Sequence, residues 1–131
     1  MKFGHKFEVR GNELDSFGHV NNAVYLNYYE QARWHIMDET GLLEYFKESG
    51  NFLVVVKANL KYIKELTLLE KSEVVTTIKT EGFFVIFQQE IRNGSDEKIN
   101  VANVKCIFVD KNRAPQDIPT KFINYLKNDK H

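Results

Sequence analysis

A single cysteine, Cys106, is all this chain of 131 residues carries, so an internal disulfide and a cysteine-based zinc knuckle are both excluded, which fits a reducing compartment. Net charge is missing as well. Lysine plus arginine and aspartate plus glutamate each number 18, leaving no basic stripe of the kind through which nucleic-acid binders displace counterions. The first residues, MKFGHKFEVRGNELD, are too polar for a signal peptide, and no apolar run approaches the roughly 18 residues of a membrane span. These absences point to a cytoplasmic protein that engages neither nucleic acid nor membrane. There is no Gly-x-Ser-x-Gly elbow for a serine hydrolase and no glycine-rich phosphate loop. His5, His19, His35 and His131 include no pair at metal-ligand spacing, so no metal and no cofactor are expected.

What is present is enough apolar material, 43% of the residues, for one core, and no repeat or linker divides the chain. Residues 1–131 read as a single domain. Phe3 to Arg10 alternates loosely, as an edge or half-buried strand does. From Ala23 onward Tyr25, Tyr28, Tyr29, Ala32 and Ile36 fall on one helical stripe, and Gly41 is suited to the left-handed position that ends such a helix. A short helix is expected over Leu42–Glu48. After it the period changes to two. Phe52–Tyr62 would place Val54, Val56, Ala58, Leu60 and Tyr62 on one face and Val55, Lys57, Asn59 and Lys61 on the other. Strands are expected over Glu73–Thr80, Phe83–Arg92 and Ile99–Asp110, the last two joined at Asn93-Gly94, so the strands form a meander. Pro119 would open a terminal helix carrying Phe122 and Leu126. The fold class is therefore α+β, a curled antiparallel five-stranded sheet around a long central helix.

The polar stretch LDSFGHVNNAVYLNYYEQAR, Leu14–Arg33, is out of place in such a core. It delivers a carboxylate, an imidazole and two amides to the head of the long helix, where backbone N–H groups lack intrahelical partners and the helix dipole favours negative charge. Such a helix end binds anions and developing oxyanions.

Asp15, then Gly18-His19-Val20-Asn21-Asn22, then Tyr25 and Tyr28, resembles the signature of the hotdog-fold acyl-CoA thioesterases of the 4-hydroxybenzoyl-CoA thioesterase family, and the likeness runs from Phe7 to about Pro119. The resemblance implies a hotdog fold and hydrolysis of an acyl thioester to free acid and thiol. It implies Asp15 as the reactive carboxylate, either attacking the thioester or activating water, which calls for the ionised form that aspartate ordinarily takes at neutral pH. The N–H of Asn22 would hold the carbonyl oxygen, and loss of one such donor typically costs about 3 kcal/mol in the barrier. His19 would polarise the carbonyl, hold water or order the loop. Gly18, Val20 and Tyr25 would lie against substrate, with core or dimer packing through a hydrogen-bonded hydroxyl the favoured role of Tyr25. Lys57, Lys61 and Lys64 are candidates for the phosphates of coenzyme A, or else solvated lysines. Arg10 and Glu13 would brace the loop, and Glu30 would either pair with Arg33 on the helix surface, the favoured reading, or face the acyl site as a second carboxylate.

One segment departs from the family pattern. Between the second and third strands the family has a proline and then Gly-Asp, whereas this chain has KELTLLEK, Lys64–Lys71. The partner is expected to be an acyl-CoA and a second copy of the chain, as homodimer or homotetramer, since pairing sheets edge to edge covers exposed strands. Two alternatives stay open: an acyl-carrier-protein thioesterase, and a non-catalytic module that binds acyl thioesters in the same pocket.

Overall fold

The strands follow the expected order along the chain but not across the sheet. In the computed structural model, which describes residues 1–128 and so leaves His131 outside, β1 (Lys2–Glu8) leads through a single 3-10 turn at Gly11–Glu13 to α1 (Val24–Glu39) and α2 (Leu42–Ser49). Then come β2 (Phe52–Tyr62), β3 (Lys71–Glu81), β4 (Phe84–Asn93), β5 (Lys98–Val109) and α3 (Thr120–Lys127). The sheet is antiparallel throughout, in the order β1-β3-β4-β5-β2. Only β3, β4 and β5 form the expected meander. Strand β2 pairs with β5 at the far edge, so the β2–β3 connection must cross the end of the sheet, and it does so past the head of α1. This is the hotdog arrangement.

Helix α1 buries Tyr25, Tyr28, Tyr29, Ala32 and Ile36, the stripe read from sequence, together with Arg33 and Met37. Three tyrosines are tolerated there because each hydroxyl has a partner. Tyr25 Oη accepts the N–H of Leu66 (3.2 Å), Tyr28 donates to Glu13 (2.9 Å), and Tyr29 donates to Asn100 (2.8 Å). Burial and the bond to Glu13 push the Tyr28 hydroxyl far above the usual phenol range, so it stays a donor. The helix stops where Gly41 takes a φ of 83°, a conformation that costs a side-chain-bearing residue about 1 kcal/mol or more.

Three local expectations change. Arg33 does not pair with Glu30. Its guanidinium turns inward to donate to Gln89 (3.0 Å) and lies 6.0 Å from the centre of the Phe87 ring, because the helical stripe that faces the sheet is wider than the apolar residues alone define. In β2 the pairing slips between Val55 and Lys57, leaving Val56 as a bulge. The faces therefore exchange there: Leu53 and Val55 share the helix-facing side with Ala58, Leu60 and Tyr62, while Val54 joins Lys57, Asn59 and Lys61 on the outer side. Finally, Asn93-Gly94 is not a two-residue turn. The side chain of Asn93 accepts the N–H groups of Ser95 (3.1 Å) and Glu97 (2.9 Å), and Asp96, not Gly94, takes the positive φ of 58°.

Candidate active site

The segment between the 3-10 turn and α1 closes on itself like a small hairpin. Leu14 and Val20 form an antiparallel bridge, and the Asp15 N–H donates to the His19 carbonyl at 2.7 Å. The Asp15 carboxylate completes the loop: its Oδ1 accepts the N–H of Phe17 (2.9 Å) and of His19 (3.1 Å). Oδ2 has no hydrogen-bond partner among the described residues. One oxygen thus builds the loop while the other stays available. Gly18 at the tip has a φ of 80° with open space where a Cβ would stand, so glycine is needed there for its backbone conformation rather than for room.

Glu13 braces the loop from beneath. Its carbonyl accepts the Asn21 N–H (2.9 Å), and its Oε1 accepts both the Arg10 N–H (2.7 Å) and the Tyr28 hydroxyl. The bond from Arg10 to this brace is made by its backbone. At the start of α1, Asn21 Oδ1 accepts the Ala23 N–H (3.0 Å) and the Asn21 carbonyl accepts the Val24 N–H (2.9 Å). The N–H of Asn22 has no acceptor among the described residues. It belongs to the same peptide as the Asn21 carbonyl, and a carbonyl that accepts a hydrogen bond polarises the N–H across its peptide. The donor expected to hold an oxyanion is thus unoccupied and polarised.

The β2–β3 connection forms the other side of this region. Despite lacking proline and glycine, it turns with Leu69 at a φ of 64°, held by the bonds Leu69 N–H to Val9 carbonyl and Val9 N–H to Glu70 carbonyl, both 3.0 Å. Its Leu66 carbonyl accepts the Val20 N–H (2.9 Å), and Thr67 forms an antiparallel bridge with His19. Glu65 Oε2 lies 2.9 Å from His19 Nδ1. Tyr62, at the end of β2, donates its hydroxyl to the Asn22 carbonyl (3.0 Å) and packs edge-on against Tyr25. Sequence reasoning missed Tyr62 and Glu65 as neighbours of the site. The one signal was the unusual Lys64–Lys71 segment itself.

Asp15, Gly18, His19 and Asn22 therefore come together. Val20 and Tyr25, each 2% exposed, stand behind them as core. The lysines do not join the group directly. Lys57 and Lys61 lie on the outer face of β2, opposite Lys105 and Val101, and Lys64 is ion-paired with Glu97. A surface concavity of about 510 Å³ adjoins the brace at Arg10, Glu13 and Tyr28, and two of similar size lie elsewhere. One, of about 440 Å³, runs over the outer sheet face along Lys61, Asn59, Gln88 and Asn103, and one of about 600 Å³ lies at Lys6, Glu8, Ser72 and Arg92.

A family model described as the thioesterase-like superfamily matches residues 9–126. The chain belongs to the thioesterase-like superfamily. Within that superfamily it is 30% identical over 131 residues to an acyl-acyl carrier protein thioesterase, ATL3, of Arabidopsis thaliana, a match covering 95% of this chain and 69% of that protein. It is 35% identical over 63 residues to the long-chain acyl-CoA thioesterase FadM of Escherichia coli, covering 48% of each. The fold superposes on the crystal structure of a 1,4-dihydroxy-2-naphthoyl-CoA thioesterase from Synechocystis with a TM-score of 0.90 at 15% identity, over 100% of this chain and 99% of the other. No described helix of this thioesterase-like chain is long and apolar enough to cross a membrane.

Proposed function

We propose that this protein hydrolyses acyl-CoA thioesters to a free acid and a thiol, with Asp15 as nucleophile or general base and the Asn22 N–H as the donor to the developing oxyanion. The observation that carries this reading is the pairing of a half-free carboxylate, anchored through Oδ1 with Oδ2 unpartnered, with an unoccupied backbone donor at the head of α1. A donor fixed before the reaction stabilises charge that appears only as the tetrahedral intermediate forms, which lowers the barrier rather than tightening substrate binding. Membership of the superfamily supports the reaction type, the likeness to the long-chain acyl-CoA thioesterase FadM supports coenzyme A as carrier, and the likeness to ATL3 supports the carrier-protein alternative.

Substrate contacts fall to Gly18 at the loop tip. Val20 and Tyr25 set the floor behind it. Lys61 and Lys57, exposed along the β2 edge, are the cations offered to the phosphates of coenzyme A, with Lys64 adjoining them after the strand. The active form is a homodimer or a tetramer built from it, in which a second copy pairs with β2 and walls the otherwise open loop.

The test is thiol release from acyl-CoAs and acyl-carrier-protein thioesters bearing the same acyl groups, with Asp15→Asn alongside. Asparagine keeps an oxygen for the Phe17 and His19 N–H groups, so the loop persists while the reactive carboxylate is lost. Hydrolysis of the CoA esters, falling by about 10²-fold or more in the variant, is expected. Turnover of carrier-protein thioesters alone would select the carrier-protein alternative, binding without turnover would select the non-catalytic module, and an undiminished variant would remove Asp15 from the chemistry.

A further inference from the structure

Glu65 sits in the part of the chain that departs from the family pattern, and it brings a second carboxylate to the site loop. The connection around it is pinned: the Leu66 carbonyl accepts the Val20 N–H, the Leu66 N–H donates to the Tyr25 hydroxyl, and Thr67 bridges His19. With both of its C-terminal neighbours fixed, Glu65 reaches the His19 ring at Nδ1, at 2.9 Å. The His19 backbone is fixed independently, its N–H on Asp15 Oδ1 and its carbonyl on the Asp15 N–H. Other charged groups on the connection are occupied: Glu70 accepts the N–H and hydroxyl of Thr67, and Lys64 pairs with Glu97. Glu65 is the acid left for the ring.

We propose that Glu65 is a positioning residue that fixes the tautomer of His19, taking the Nδ1–H so that Nε2 is left as the working nitrogen. A carboxylate on one ring nitrogen dictates which of the two carries the proton and holds the ring plane. The proposal rests on the thioesterase reading above. Along its general-base route, Asp15 Oδ2 takes one proton from water as the water oxygen bonds to the carbonyl carbon. The tetrahedral intermediate then collapses, and the C–S electron pair leaves on sulfur. Nε2 of the His19 ring takes the proton held by Asp15, directly or through water, while Nδ1–H stays on Glu65, and Nε2 then gives that proton to the sulfur. One water is consumed, one acid and one thiol are formed, and both side chains are restored.

The His19 and Glu65 side chains are 38% and 65% exposed. Exposed pairs of this kind contribute little to stability. Removing Glu65 should thus leave the fold intact, which makes the proposal testable. Nitrogen-15 NMR of the His19 ring, at a pH where the ring is neutral, should show the proton on Nδ1 in the wild type and predominantly on Nε2 in Glu65→Ala. Glu65→Gln, whose amide oxygen also accepts an Nδ1–H, should return the wild-type pattern. In parallel, kcat for thioester hydrolysis should fall on the order of tenfold in Glu65→Ala with KM and melting temperature unchanged, and recover in Glu65→Gln. A wild-type ring with its proton on Nε2 would overturn the positioning role, as would a Glu65→Ala protein with an altered tautomer and unaltered kcat. If the wild type releases no thiol from any thioester, the hydrolase reading fails, and the ring spectra still decide whether Glu65 sets the tautomer.

Discussion

The hydroxyl of Tyr62 at the end of β2 donates to the backbone carbonyl of Asn22 at the head of α1, 40 residues earlier in sequence and 3.0 Å away. This bond fixes Asn22, whose N–H has no acceptor among the described residues and is the proposed oxyanion donor, and it ties that residue to the edge strand rather than to its own helix. Tyr62 is 48% exposed, so its hydroxyl adds little to global stability. Its ring stays packed on Tyr25 in a Tyr62→Phe variant, which separates orientation of Asn22 from packing. Tyr62→Phe should lower kcat for thioester hydrolysis about fivefold, matching loss of roughly 1 kcal/mol of orientation, with the unfolding midpoint nearly unchanged. Steady-state kinetics and a thermal melt check both halves.

Among the described residues nothing pairs with the outer edge of β2, which runs for eleven residues with Val55 and Val56 about half exposed. Long apolar edges invite pairing with another copy, and a charge on the edge blocks it. Val55→Lys should convert a dimer or tetramer to monomer in light scattering across the micromolar range. A wild type already monomeric there would end the dimer proposal.

Much of this fold could be read directly from the sequence because its elements follow simple periods. The α1 stripe at Tyr25, Tyr28, Tyr29, Ala32 and Ile36 is a pure 3.6-residue repeat, and its terminator Gly41 adopts the left-handed conformation that only glycine takes without strain. What escaped the periods was non-local. That β2 crosses to β5 depends on which sheet edge the connection can reach, and no local spacing encodes it. The Val56 bulge changes the parity of a strand by a single residue, so Val54 and Val55 exchange faces with no trace in composition. At the site, Asp15, His19 and Asn22 lie within eight residues and were legible as one motif. Tyr62 and Glu65 reach the same place only through the crossing of the sheet.

Cys106 is buried against α1, and that burial pushes its thiol up to about 11 from an ordinary value near 9, with Arg33 nearby pulling weakly the other way. Because the folded value lies above the unfolded one, the folded state keeps its proton where the unfolded state loses it. Its contribution to stability is therefore complete below about pH 9 and is lost as pH rises through about 11. Denaturant titrations at pH 8, 9.5 and 10.5 should show stability falling more steeply in wild type than in Cys106→Ala. At pH 8 the native thiol should also resist alkylation until the protein is unfolded.

Among the described residues the buried guanidinium of Arg33 has one hydrogen-bond acceptor, Gln89, whose own amide group donates to Thr76 Oγ1 (3.1 Å) and to the Tyr29 carbonyl (3.3 Å). Burial lowers the proton affinity of Arg33 from its ordinary value without making it neutral. Replacing Gln89 by leucine removes the acceptor while leaving the cation enclosed, and an enclosed charge stripped of its partner typically costs about 3–5 kcal/mol. Removing both polar groups, as Arg33→Met with Gln89→Leu, takes the unpaired charge away and fills the space with apolar atoms. The double variant should therefore be more stable than Gln89→Leu alone, giving a coupling of about 2 kcal/mol or more across the cycle when measured by chemical denaturation. Additive losses would mean that the guanidinium finds water or another acceptor once Gln89 is gone, and that the polar contact between α1 and β4 contributes to stability only through its packing.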